Sequence, residues 1–168
     1  MKYKQSWEEG TAAEQAYITS LENEGYIYIR HATPTEDRQD HWDLMFKDPD
    51  VGVTFTTDVK AQRHKYRGGP LLEDFLVIEW KNVAGKEGWI LGKAYEIAYE
   101  YLDNFYVFNR KELMNYAFMV TDFCKIVTKF SDCVHGIYQR KDRKDQMTLL
   151  KLSDLLLSID YGIYPKLT

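Results

Sequence analysis

The sequence predicts an α/β domain built on a mixed sheet, and three observations carry that expectation. A capped, amphipathic stretch over residues 11–23 opens as a helix. Three runs rich in β-formers follow at residues 26–31, 41–46 and 53–63, joined by connections too short for a crossover and therefore expected to pair antiparallel. Helical and strand-like patterns then alternate from residue 89 onward. A chain of 168 residues can bury a sizeable core, so a single domain over residues 1–168 is expected, with its core at about 11–110 and an extension at 111–168.

Composition narrows the class. Net charge is −4, so any nucleic-acid contact must come from a local patch. Aromatic residues reach 15%, with 13 Tyr, which suits stacking or an interface as well as a core. Cys124 and Cys133 make neither a disulfide framework nor a zinc cluster, and a reduced compartment is expected. The start, Met1-Lys2-Tyr3-Lys4-Gln5, lacks a signal-peptide core, and no stretch is apolar for long enough to span a bilayer. The expectation is a cytoplasmic protein with no membrane partner.

Within the first helix, Thr11-Ala12-Ala13-Glu14 reads as a capping box and Gly25 as the stop. Glu14 also shares a stripe with Ile18 and Leu21, so it either caps its own helix or reaches a site beneath it. Residues 26–31 (YIYIRH) form the first strand. Residues 33–40 read as a polar connection, and residues 41–46 as the second strand, with His41, Asp43 and Met45 on one face. Lys47-Asp48-Pro49-Asp50 and Gly52 are turn chemistry. In the third strand Thr54, Thr56, Asp58, Lys60 and Gln62 share a face opposite Val53, Phe55, Thr57, Val59 and Ala61. Residues 75–80 (FLVIEW) form a further strand behind a basic loop. Over residues 89–101, Ile90, Ala94, Ile97, Ala98 and Tyr101 line up as a helix face with Lys93, Glu96 and Glu100 beside it. Residues 105–108 are a strand, 110–120 a helix and 145–152 a last strand before a short helix capped by Ser153-Asp154.

The chemistry concentrates on two strands. Phosphodiester cleavage near neutral pH needs a deprotonated water, neutralised phosphate charge and a protonated leaving oxygen. Carboxylates holding a hard divalent cation, with a lysine close by, meet that need. Asp43 and Asp58 on adjacent strands, Lys60 on the face of Asp58, and Glu14 on the helix above supply such a set. No nucleophile elbow, P-loop or dinucleotide fingerprint is present, and His31, His41, His64 and His135 lack zinc spacing.

The ordered residues Glu14, Asp43 and Asp58-Val59-Lys60, followed by Gln62, resemble the PD-(D/E)XK nuclease superfamily. The stretches DHWD, DVKAQR and VIEWKNVAGKEGWILGKA look like a group of phage-encoded members. The resemblance spans about residues 11–110, and more loosely 138–155; Trp42 stands where the superfamily's name has Pro. It implies a restriction-endonuclease-like mixed sheet core (α-β-β-β-α-β) with flanking helices and a hairpin extension. It also implies a nuclease dependent on Mg²⁺ or Mn²⁺. Asp43 and Asp58 would be metal ligands, Glu14 an outer ligand, Lys60 the group that positions water or phosphate, and Gln62 a further catalytic residue. The implied partner is DNA, with RNA left open, cut in DNA recombination, repair or degradation; a second copy of the chain, as a homodimer, is the other partner considered.

A rival register exists. Glu79-Trp80-Lys81 is itself E-x-K at the end of an apolar strand, with Phe75, Val77, Glu79 and Lys81 on one face. Asp58 and Lys60 are preferred because the helix and both aspartates then fall in order without skipping a strand. DNA contact is expected from Lys65 and Arg67 after the third strand, from Lys81 and Lys86 beside Gly85 and Gly88, from Lys93, and from Arg140 and Arg143. Solvated loops and turn geometry are the plainer explanation of each cluster. The competing class is a binding protein that keeps the nuclease fold without activity and contacts DNA or a host protein.

Overall fold

The computed structural model describes residues 4–66 and 69–167. Its elements begin α1 (Lys4–Asn23), β1 (Ile27–His31), α2 (Pro34–Asp40), β2 (Leu44–Lys47), β3 (Thr54–Lys60) and β4 (Phe75–Lys81). They continue β5 (Glu96–Tyr101), β6 (Asn104–Asn109), α3 (Arg110–Val120), β7 (Asp122–Val127), β8 (Gly136–Tyr138), β9 (Gln146–Lys151), α4 (Leu152–Leu156) and β10 (Gly162–Pro165). The chain is thus a mixed α/β protein with two sheets. It forms two compact units, one of Met1–Gln62, Lys93–Asn109 and Tyr161–Thr168, the other of Arg63–Gly92 and Arg110–Asp160. Among the described residues no helix is long and apolar enough to cross a membrane.

The first unit holds a six-stranded sheet in the order β1-β2-β3-β5-β6-β10. β1, β2 and β3 form the expected antiparallel meander, with a tight turn between β2 and β3 and α2 between β1 and β2. β5 lies parallel to β3, and β6 and β10 complete the sheet antiparallel. α1 covers one face. Its Ala13, Ala16, Tyr17, Ile18 and Leu21 pack with Leu44, Phe46, Val59, Ala98, Phe105 and Val107 in a buried core. The Tyr17 ring meets Phe105 and Phe46 edge-on at centroid distances of 5.0 and 5.8 Å. Its hydroxyl donates to Glu96 Oε1 at 2.9 Å, which Thr57 Oγ1 also reaches at 2.7 Å. Tyr17→Phe removes one of two donors to a carboxyl that burial already pushes upward, so urea denaturation should read a loss of about 1–2 kcal/mol.

Three expectations are corrected here. α1 begins at Lys4, so Thr11 lies inside the helix and Thr11-x-x-Glu14 is no capping box; Glu14 is an interior residue free to reach off the helix. Residues 33–40 are not a plain connection but contain α2, and β2 starts only at Leu44, because His41 ends α2 in the left-handed region (φ 53°). The helix expected over residues 89–101 is absent. A 3-10 turn at Trp89–Leu91 ends at Gly92, and Glu96–Tyr101 is β5. EIAYEY fits both periods, and pairing on both edges, with β3 and β6, decides for the strand. The second helix of an α-β-β-β-α-β core is therefore not at that position.

The second unit carries the sheet β4-β9-β8-β7. Leu72, Val77, Cys133 and Leu149 form its core cluster, with Phe75, Phe130, Tyr138 and Met147 packed around it. α3 occupies the residues its pattern predicts, and Arg110 Nη1 donates to the Ile90 carbonyl at 3.0 Å.

Candidate active site

α2 is built by its first residues. Thr33 caps the helix, its hydroxyl accepting from Glu36 N at 3.3 Å while Glu36 Oε2 accepts from Thr33 N at 2.8 Å, with Pro34 in the first turn. Arg30 of β1 grips the same carboxylate through two hydrogen bonds of 2.8 Å and lies over the Trp42 ring at 4.9 Å. The Arg30 guanidinium, followed by the cap N–H, lowers the Glu36 pKa to about 2. α2 is thereby tied to the end of β1, which brings Asp37 to the same end of the sheet.

Asp43 immediately precedes β2 and is held between the two neighbouring chain segments. Its N–H donates to Thr57 O at 2.9 Å and its carbonyl accepts from Ala32 N at 2.7 Å. The Asp43 carboxylate lies beside that of Asp58 and acts on it electrostatically. Asp43 Oδ2 accepts from Val59 N at 2.7 Å, which fixes its carboxylate against β3. Lys60 Nζ lies 2.5 Å from Asp58 Oδ1. The other Asp58 oxygen, Oδ2, is buried with no hydrogen-bond partner. Burial pushes the Asp58 pKa far up, Lys60 opposes this, and the Asp43 carboxylate adds to it.

Two further acids complete the group. Burial, then the charges of Asp43 and Asp37, raise Glu14 to about 7 against a partial offset from Lys60. Glu14 Oε2 lies 3.6 Å from His31 Nε2, and the Tyr28 hydroxyl pairs with His31 Nδ1. Asp37 is also raised, by burial first and Asp43 second, and Lys60 again opposes. Glu14, Asp37 and Asp58 thus share the field of one lysine, and each also feels the Asp43 charge. Asp37 was missed from sequence because residues 33–40 look like a connection, although Thr33-Pro34-Thr35-Glu36 carries both a capping box and a first-turn proline. His41, expected beside Asp43 on a strand face, is instead the helix end cap.

Among the described residues no group of three or more His, Cys, Asp or Glu is arranged to hold a metal ion. The donor chemistry nevertheless fits a hard divalent cation. Asp58 Oδ2 is an orphaned buried oxygen next to the anchored Asp43 carboxylate, and a cation there would offset both the burial and the Asp43 charge that raise Asp58.

The other predicted residues fall elsewhere. Gln62 Oε1 accepts from Leu102 N at 3.0 Å and its own N–H donates to Glu100 Oε2 at 3.1 Å, so Gln62 ties β3 to the β5–β6 turn. Glu79 and Lys81 lie on β4 in the other sheet. A bulge between them pairs Glu79 with Met147 and Lys81 with Gln146. Successive partners point to opposite faces, so Glu79 and Lys81 do not share one.

Lys81 and Lys86 flank a turn whose N–H groups are occupied. Ala84 and Lys86 N–H donate to Asn82 Oδ1, Gly85 N–H to Asn82 O and Gly88 N–H to Trp80 O. Gly88 is needed for close approach, since a Cβ there would lie 2.1 Å from Glu79 O. Lys93 pairs with Asp40 at 2.7 Å in the first unit. Lys65 and Arg143 are exposed in the second unit, and Arg140 there is engaged by the buried Asp145. Arg67 lies outside the described residues. Comparison of the chain with family models, with curated proteins and with solved structures returns no match to any of them.

Proposed function

We propose that the chain is a deoxyribonuclease dependent on Mg²⁺ or Mn²⁺, with a restriction-endonuclease-like core formed by α1, the β1–β3 meander and β5. The observation that carries this reading is the Asp43 carboxylate, held by Val59 N, beside that of Asp58, with Lys60 paired to Asp58 and one Asp58 oxygen orphaned. β5 parallel to β3 also supports it, whereas the crossover between them holds β4 and a 3-10 turn in place of a helix. Asp43 and Asp58 would hold the cation, which supplies positive charge to the phosphate and acidifies a nearby water.

The remaining work falls to the chain's own groups. Lys60 offsets charge on the non-bridging phosphate oxygens as the water oxygen bonds to phosphorus and the bond to the leaving oxygen breaks. Glu14 Oε2, with a pKa of about 7, is poised to accept the proton that the water loses. Asp37 adds negative charge that keeps Glu14 in that range.

The test is cleavage of single-stranded, duplex and branched DNA, and of RNA, by purified protein with Mn²⁺ or Mg²⁺. Wild type should cut DNA, and Lys60→Ala should slow cleavage by about 100-fold. If wild type cuts none of the substrates, the reading fails in favour of an inactive binding protein of the same fold.

A further inference from the structure

Beyond the carboxylate group, the first unit contains a second built feature at the opposite end of β3. It is an open groove of about 520 Å³, a size suited to a small ligand. Four aromatic side chains line it: Tyr26, Phe55, Tyr95 and Tyr164. Tyr26 meets Phe55 at 5.7 Å and Tyr164 at 6.4 Å, both edge-on, and Phe55 meets Tyr95 at 6.3 Å, so the rings form one continuous wall. The groove's charged lining residues are Glu96 and Asp48, both acids, with no Lys, Arg or His among them. Glu96 is held in place by Tyr17 and Thr57, which both donate to Oε1. Tyr95 and Val51, exposed at 60% and 70%, leave the mouth accessible.

An aromatic wall attracts a weakly hydrated cation through ring quadrupoles, and a fixed carboxylate supplies the counter-charge. A neutral apolar ligand would bring no counter-charge to Glu96 and Asp48, and an anion would be repelled by both acids. We propose that this groove binds a small alkylated ammonium ion, with the alkyl groups against Tyr26, Phe55, Tyr95 and Tyr164 and the charge neutralised by Glu96. The site is independent of the nuclease reading, since it uses none of Glu14, Asp43, Asp58 or Lys60.

The test titrates the intact protein with choline, with tetramethylammonium and with the neutral isostere 3,3-dimethylbutan-1-ol, followed by NMR chemical shifts and calorimetry. Choline and tetramethylammonium should bind saturably, and the neutral isostere at least tenfold more weakly. Glu96→Gln, which retains an acceptor for Tyr17 and Thr57, should weaken choline at least tenfold. Tyr95→Ala, at an exposed position, should weaken it several-fold. Mg²⁺ at matched ionic strength should leave choline binding unchanged. No saturable binding, equal binding of the neutral isostere, or an unaffected Tyr95→Ala variant would overturn the proposal.

Discussion

Asp58→Asn is expected to lower DNA cleavage by at least about 1,000-fold while raising the melting temperature of the metal-free protein. Both effects have one cause. Asp58 is buried, one of its oxygens has no donor, and the Asp43 carboxylate faces it, so its charge opposes folding except for what Lys60 returns. An amide keeps the shape, removes the like-charge contact and can donate toward Asp43. An aspartate serving only structure would give the reverse, since loss of its ion pair with Lys60 would lower the melting temperature. A buried acid retained against stability is the pattern expected where function needs it.

Glu14→Gln should flatten the dependence of stability on pH. The carboxyl has a pKa of about 7 in the folded protein and 4.5 as its ordinary value. Between these values the folded state holds a proton that the unfolded state has released, so stability falls as pH rises through this window. The loss from pH 4.5 to above 7 should be roughly 2–3 kcal/mol, after allowing for the quarter of the Glu14 side chain that remains exposed. Asp58 and Asp37 are raised too and titrate with the same sign, so some slope remains in the variant. Urea denaturation at several pH values reads this directly. Equal slopes for wild type and Glu14→Gln would show that neither burial nor the charges of Asp43 and Asp37 raise Glu14.

What could be read in the sequence follows the range of the forces. The β1–β3 meander was legible because side-chain alternation and the tight β2–β3 turn are local, and α3 because its amphipathic period is unbroken over residues 110–120. Asp43, Asp58 and Lys60 were legible as neighbours for the same reason, since register across a tight antiparallel pair follows from the turn. β5 was not legible. EIAYEY satisfies helix and strand periods alike, and what selects the strand is the open edges of β3 and β6, which lie far away in sequence.

Gln62 shows a different limit. It shares the alternation of Asp58 and Lys60, yet the chain leaves the strand after Lys60, and the side chain satisfies Leu102 N in a turn 40 residues on. Asp37 was hidden by a proline that reads as a loop signal but serves as the first residue of α2. The division into two sheets was equally out of reach, because β4 looks like its neighbours in composition and differs only in finding its partner at β9.

The central claim is that Asp43 and Asp58 form a cation site around Lys60. The most direct measurement is the melting temperature of the metal-free protein titrated with Mn²⁺, for wild type and Asp43→Ala. Wild type should rise with Mn²⁺ until saturation, and Asp43→Ala should stay level. A wild-type curve that does not move, or a variant that moves as far as wild type, would contradict the claim.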